Sequence, residues 1–270
     1  MVFTNQDFID MLNFFKDKNC FSKNAKESFE SITEISKSES GESLIKSNHC
    51  LYNLDNIAYN LSLNSQGNPN SIPASVDALF YFNNNNFTLY LIEFKGVPIN
   101  SLDYKEILKL IKMDLEKDKC VNFRENCPIS NNLMLNLTRT YERYEDEIFC
   151  SLKIKPIESL FVVLPKLYKK YCDELDKNYY ETISGFMDWL LKVNKKLYVV
   201  FLDDKNKSKI YKKNISNKID SKYKYLKSFV NLEHKCYNQK TFEDKLNRIF
   251  SYLGKCPSEF FQIINHLITE

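Results

Sequence analysis

The chain has 270 residues, 43% of them hydrophobic, and a formal net charge of +3. That apolar fraction supports a sizeable core and excludes a disordered chain. The near balance of charge neither demands nor opposes a polyanionic partner. Positive charge is carried by lysine, with Arg124, Arg139, Arg143 and Arg248 as the arginines. The N-terminus carries no signal-peptide pattern and no apolar run reaches the length of a membrane span, so a cytoplasmic protein with no membrane association is expected. The eight cysteines form no CxxC pair and lack zinc-knuckle spacing. They are expected to be reduced and mostly buried.

In chain order, Asn5 is expected to cap a short helix carrying Phe8, Met11, Leu12 and Phe15 on one side. Asn24 is expected to cap a second, from Ala25 to about Ile35. Ser36–Ser43 reads as a loop. Leu51–Leu61, from about Cys50, alternates loosely and reads as a first strand. Asn64–Pro73 carries Gly67, Pro69 and Pro73 and is a connection. Two strongly apolar strands follow, flanking the turn Asn83–Asn86, and Gly96-Val97-Pro98 breaks the second.

Amphipathic helices are expected at about Leu102–Lys117 and Leu133–Phe149, with an irregular Lys119–Asn132 between them. Pro156 and the apolar run after it fit a helix opened by proline and kinked near Pro165. Phe186–Val193 reads as helix and Lys196–Leu202 as strand, closed by Asp203-Asp204. Lys205–Lys224 is lysine-rich with Tyr211 and Tyr223. It fits either a solvated loop or a segment tracking a phosphate backbone. Tyr225–Phe229, a weak strand near Leu232–Tyr237 and a helix from Thr241 to about Leu253, with Thr241 and Asp244 as a cap pair, complete the chain. The order implies an α/β domain with a mixed central sheet.

The chemistry concentrates in Ser75–Gly96. Asp77 heads the first apolar strand, and Glu93 and Lys95 close the second. Residues i and i+2 of a strand share a face, so Glu93 and Lys95 project together while Phe94 turns away. Pairing as a hairpin brings Asp77 to the same open end. Two carboxylates there are hard oxygen ligands suited to Mg²⁺ or Mn²⁺. Such an ion activates water and offsets phosphodiester charge. A neighbouring lysine orients or deprotonates the water, or stabilises charge on the phosphoryl oxygens. An ordinary hairpin ending in a surface ion pair uses the same residue types. Against that, strands apolar on both faces are central ones, and charges on a covered sheet are paired or metal-bound.

Ser75-Val-Asp77, then Ile92-Glu93-Phe94-Lys95-Gly96 after a gap of 15 residues, resembles the PD-(D/E)XK, or restriction-endonuclease-like, nuclease superfamily over roughly residues 24–203. Val76 stands where many members carry proline. The resemblance implies a mixed central sheet of four or more strands flanked by helices, with further helices inserted after the Glu93–Lys95 strand. It implies one nuclease-like domain over 1–270, with residues from about 204 as a C-terminal extension. It also implies magnesium-dependent endonuclease-type cleavage of nucleic acid, with DNA the expected substrate and a homodimer compatible. Asp77 and Glu93 would hold Mg²⁺ or Mn²⁺, and Lys95 would act on the nucleophile or the phosphate.

The family often adds a glutamate from the first core helix. Glu27, Glu30 and Glu34 fall within about 60° of one another on the expected Ala25–Ile35 helix. Glu30, mid-helix beside Phe29, is the preferred one, and a solvated acidic face is the alternative. The rival reading of the chain is a catalytically inactive nuclease-fold protein that binds or assembles, as in a defence system or mobile element. His49, His234 and His266 are isolated, and no phosphate-binding glycine loop or serine-hydrolase elbow is present.

Overall fold

Six strands in the order β1 to β6 build one open mixed sheet with helices on both faces. The computed structural model describes residues 2–16, 21, 24–38, 41–83, 87–98, 150–202 and 230–251, with isolated positions at 135, 136, 139, 217, 224 and 227. The expected helices at Leu102–Lys117 and Leu133–Phe149 and the lysine-rich Lys205–Lys224 lie almost wholly outside the described residues.

Helix α1 (Asn5–Phe14) buries Phe8, Ile9, Met11 and Leu12. Its cap is Thr4, not Asn5: Thr4 Oγ1 accepts from the Asp7 N–H, and Asp7 returns a bond to the Thr4 N–H. Asn5 instead accepts from Trp189 Nε1 at 2.9 Å.

The expected helix over Ala25–Ile35 does not form. Strand β1 (Phe29–Ser31) and the single turn α2 (Ile32–Ile35) occupy its second half. The cause is long-range. Asn60 accepts from the Lys26 N–H at 2.7 Å and donates to the Lys26 carbonyl at 2.8 Å, and Asn56 donates to the Glu27 carbonyl. These amides take the backbone groups that a helix would have used.

The expected strand Leu51–Leu61 is likewise divided into β2 (Cys50–Asn53) and α3 (Leu54–Ser62). Asn53 caps α3 by accepting from the Asn56 N–H, and Leu54, Ile57 and Ala58 are buried at helical spacing. Strands β3 (Ala78–Asn83) and β4 (Phe87–Pro98) form the expected antiparallel hairpin. Gly96 does not end β4; the strand continues through a bulge between Lys95 and Pro98.

A helical segment present from 150 passes through a π-helical turn, Ser159–Val163, into α4 (Leu164–Glu174). Pro156 thus lies inside the helix and Pro165 in the first turn of α4. Helix α5 (Tyr179–Lys192) leads into β5 (Asn194–Leu202), which pairs parallel with β4. β6 (Leu232–Asn238) pairs parallel with β5 and α6 (Gln239–Ser251) follows. Asn238, exchanging bonds with Thr241, caps α6 in place of the expected Thr241–Asp244 pair.

Alternation along β4 divides the core. Phe87, Leu89 and Leu91 join the larger cluster under α1, α3, the π turn, α4 and α5. Tyr90, Ile92 and Phe94 join the smaller one with Ile32 of α2 and Phe242 and Leu246 of α6. Each fully buried side chain of this size contributes about 1.5–3 kcal/mol. Elements from both chain ends, α1 as well as β6 and α6, take part. Among the described residues Cys50, Cys150, Cys172 and Cys236 are free thiols, and no helix is long and apolar enough to cross a membrane.

Candidate active site

Asp77 precedes β3 and shares its parity with Leu79 and Tyr81, which face the larger core. Glu93 and Lys95 continue the face of Leu89 and Leu91 on β4. All three therefore project on the side covered by the helical segment described from 150. Ser159, fully buried in that helix, accepts from the Val76 N–H at 2.9 Å. Glu158 accepts from the Ala74 N–H at 2.6 Å. The helix is thereby fastened to the segment leading into Asp77, and one turn before Ser159 it carries Lys155.

The Lys155 ammonium lies between the two carboxylates. It is 3.2 Å from Asp77 Oδ1, 2.9 Å from Glu93 Oε1 and 3.1 Å from Glu93 Oε2. Lys95 Nζ also lies 2.6 Å from Glu93 Oε1. Glu93 is only 1% exposed, whereas Lys95 and Lys155 keep 18% and 20% of their side chains in solvent. Asp77 Oδ2 accepts from the Phe94 N–H at 2.5 Å, and its own carbonyl accepts from the Leu54 N–H.

Burial pushes the Asp77 pKa well up and the neighbouring Glu93 charge adds to this, as does Asp55; Lys155 and the Phe94 N–H oppose. For Lys155, burial lowers the pKa, but the charges of Asp77, Glu93 and Asp55 outweigh it and hold the ammonium above the ordinary lysine value.

The Asp77, Glu93 and Lys95 of the sequence motif are thus brought together. Glu30 is not delivered by a helix. It sits on β1, two strands from Asp77, and its carboxylate accepts from Asn53 Nδ2 at 2.6 Å and Asn56 Nδ2 at 2.8 Å. Glu27 presents its carbonyl to Asn56, and Glu34 pairs with Lys37. The acid whose charge bears on Asp77 besides Glu93 is instead Asp55, in the first turn of α3 and bonded to the Ser75 hydroxyl.

Lys155 and Asp55 were not singled out by the sequence. Asp55 has a local signal, since an Asn53 cap followed by helical spacing puts it in a first turn. Lys155 has none, because its position depends on a contact to Val76 across 83 residues. A cleft of about 340 Å³ opens beside Asp77, lined among others by Lys37, Ser38, Asp55, Phe94 and Gly96.

Among the described residues no group of three or more His, Cys, Asp or Glu is placed to hold a metal. Two carboxylates converging on one cation do fit Mg²⁺ or Mn²⁺, which commonly take one or two protein carboxylates and fill the remainder with water and substrate oxygens. Comparison of the chain with protein-family models, with curated proteins and with solved structures gives no match.

Proposed function

We propose that this chain is a metal-dependent nuclease that hydrolyses phosphodiester bonds, in DNA as the first substrate to test, on a restriction-endonuclease-like core. The observation that carries the reading is the convergence of Asp77 and Glu93, from two adjacent strands, on a single cation, with Lys95 Nζ 2.6 Å from Glu93. Asp77 and Glu93 would hold Mg²⁺ or Mn²⁺, which supplies charge neutralisation at the phosphate and activates water.

The remaining chemistry belongs to the chain. The Phe94 N–H holds one oxygen of Asp77 in place. Lys95 places a donor beside the same carboxylate pair, where it orients the attacking water or holds the charge that grows on a phosphoryl oxygen. The cleft lined by Asp55, Asp77 and Gly96 would give a nucleic-acid strand an approach to this end of the sheet.

The test is cleavage of a panel of DNA and RNA substrates with Mg²⁺ or Mn²⁺. Activity is expected, with Glu93→Ala and Lys95→Ala each lowering the rate about 10²-fold or more. Undiminished cleavage in both variants would remove these residues from the chemistry. One observation favours the rival reading of an inactive nuclease-fold binding or assembly protein: Lys95 and Lys155 already pair with the two carboxylates. That reading requires no metal-stimulated cleavage and binding indifferent to Asp77→Asn.

A further inference from the structure

We infer that Lys155 is a displaceable counter-ion built into the site: its ammonium holds the cation position between Asp77 and Glu93 until a divalent ion takes it, and then leaves as a charged group. The inference rests on the nuclease reading above, since it needs a metal to compete with.

Three carboxylate oxygens lie 2.9–3.2 Å from Lys155 Nζ, contributed by β4 and by the residue leading into β3. An ammonium so placed screens two acids that would otherwise repel one another at close range. It therefore keeps the pair convergent while the site waits. Divalent cation and ammonium compete for the same oxygens, and both cannot sit among them.

The geometry also lets Lys155 go. Its helix is held by Ser159 to Val76 and by Glu158 to Ala74, bonds that do not involve the Lys155 side chain. Only a flexible four-carbon stem has to move. A fifth of that side chain is already in solvent. Asp55, exposed at the cleft and acting on Lys155 through its charge, offers a partner on the way out.

Charge counting gives the exchange a further consequence. Counted by formal charge, Asp77, Glu93, Lys95 and Lys155 sum to zero. A divalent ion entering this set leaves it positive, a surplus that an incoming phosphodiester offsets. Metal and phosphate binding are therefore expected to reinforce each other.

Two measurements on the whole chain test the inference. The first is Mn²⁺ affinity by calorimetry for the unaltered chain, Lys155→Met and Asp77→Asn. Lys155→Met is expected to bind about tenfold or more tightly, because it removes the competitor, and Asp77→Asn to bind poorly. Equal affinities for the unaltered chain and Lys155→Met, with loss in Asp77→Asn, overturn the role of Lys155 and leave the metal reading standing. No binding in either the unaltered chain or Lys155→Met overturns both.

The second measurement needs no variant. Brief acetylation with acetic anhydride, read by peptide mass spectrometry, is expected to label Lys155 several-fold more with Mn²⁺ present. Lys192, paired with Asp188 on the surface of α5, serves as the unchanged control. A Lys155 whose labelling ignores Mn²⁺ refutes the inference.

Discussion

The charge cluster makes Glu93→Gln an informative perturbation of stability. The substitution keeps the side chain's shape and removes its charge. Glu93 is 1% exposed and faces Lys95 Nζ at 2.6 Å and Lys155 Nζ at 2.9 Å. Without its charge Lys95 loses this carboxylate partner, and Lys155 keeps only Asp77 at 3.2 Å. Removing one member of a buried ion pair costs about 3–5 kcal/mol, because the partner's desolvation is left uncompensated. Both ammonium groups keep about a fifth of their surface in water, so the lower end, about 3 kcal/mol, applies. At about 2–4 °C per kcal/mol for a chain of this size, Tm should fall by about 6–12 °C. Thermal and urea unfolding measure this, with the urea slope unchanged if the fold is retained. A Tm within a degree or two of the unaltered chain would refute the buried, doubly paired Glu93 on which the site is built.

Asp77 should behave in the opposite sense. Its pKa in the fold lies well above the usual 3.8, through burial first and the Glu93 charge second. The folded chain therefore holds this proton more tightly than the unfolded chain does. That difference favours the fold at acid pH and is lost as pH rises from the unfolded value through the raised one. Asp77→Asn should accordingly gain stability relative to the unaltered chain as pH rises in urea titrations, while losing metal-dependent cleavage; a stability difference that is flat or falls with pH would contradict the raised pKa. Lys195, 1% exposed at the far end of the same sheet face, donates to the carbonyls of Val193 and Val230 at 2.7 and 2.8 Å. Burial pushes its pKa down to about 8 from 10.5. The unfolded chain then binds the proton more tightly, so this residue's contribution to stability rises between about pH 8 and 10.5. The midpoint difference between the unaltered chain and Lys195→Met, measured across that window, should grow in favour of the unaltered chain, and a constant difference would count against the depressed value.

The hairpin and the convergence of Asp77, Glu93 and Lys95 were legible because every signal involved is local. Asp77, Glu93 and Lys95 fall on one face through period-two alternation across the hairpin, and β5 was read from its apolar run, with β6 only as a weak strand. The first third of the chain was harder because its backbone is directed from a distance. Phe29 and Ile32 sit at helical spacing, yet Asn56 and Asn60 reach back some thirty residues to hold Lys26 and Glu27 extended. That contact removed the helix on which Glu27, Glu30 and Glu34 had shared a face. The Leu51–Leu61 error had a local remedy, since Asn53 followed by Leu54, Ile57, Ala58 and Leu61 is a capped helical pattern. Reading it would have placed Asp55 at a helix start beside the site. Lys155 stayed hidden because nothing near it in sequence distinguishes it from Lys153.

The end of the β3–β4 ladder bears on what Asp77 is for. Regular pairing runs from Asn83 opposite Phe87 to Ala78 opposite Ile92 and stops there. At the next position the Asp77 carbonyl turns to the Leu54 N–H, and the Asp77 side chain accepts the Phe94 N–H. A side chain thus takes over from the backbone and lets the strands part where the cleft begins. An asparagine could accept the same N–H, with no charge to bury and no repulsion from Glu93. The chain nonetheless carries a carboxylic acid there, beside the buried Glu93 and with its pKa pushed up by burial and by the Glu93 charge. Ladder termination alone does not account for that choice; under the proposed nuclease reading, a metal ion that takes oxygens from both acids would. The two isosteric substitutions separate these roles. If Asp77→Asn keeps the fold, gains stability at neutral pH and loses Mn²⁺ binding, while Glu93→Gln loses both stability and binding, Asp77 is retained for its charge rather than for its place in the sheet. If Asp77→Asn is as destabilising as Glu93→Gln, the carboxylate is structural and the nuclease reading loses its main support.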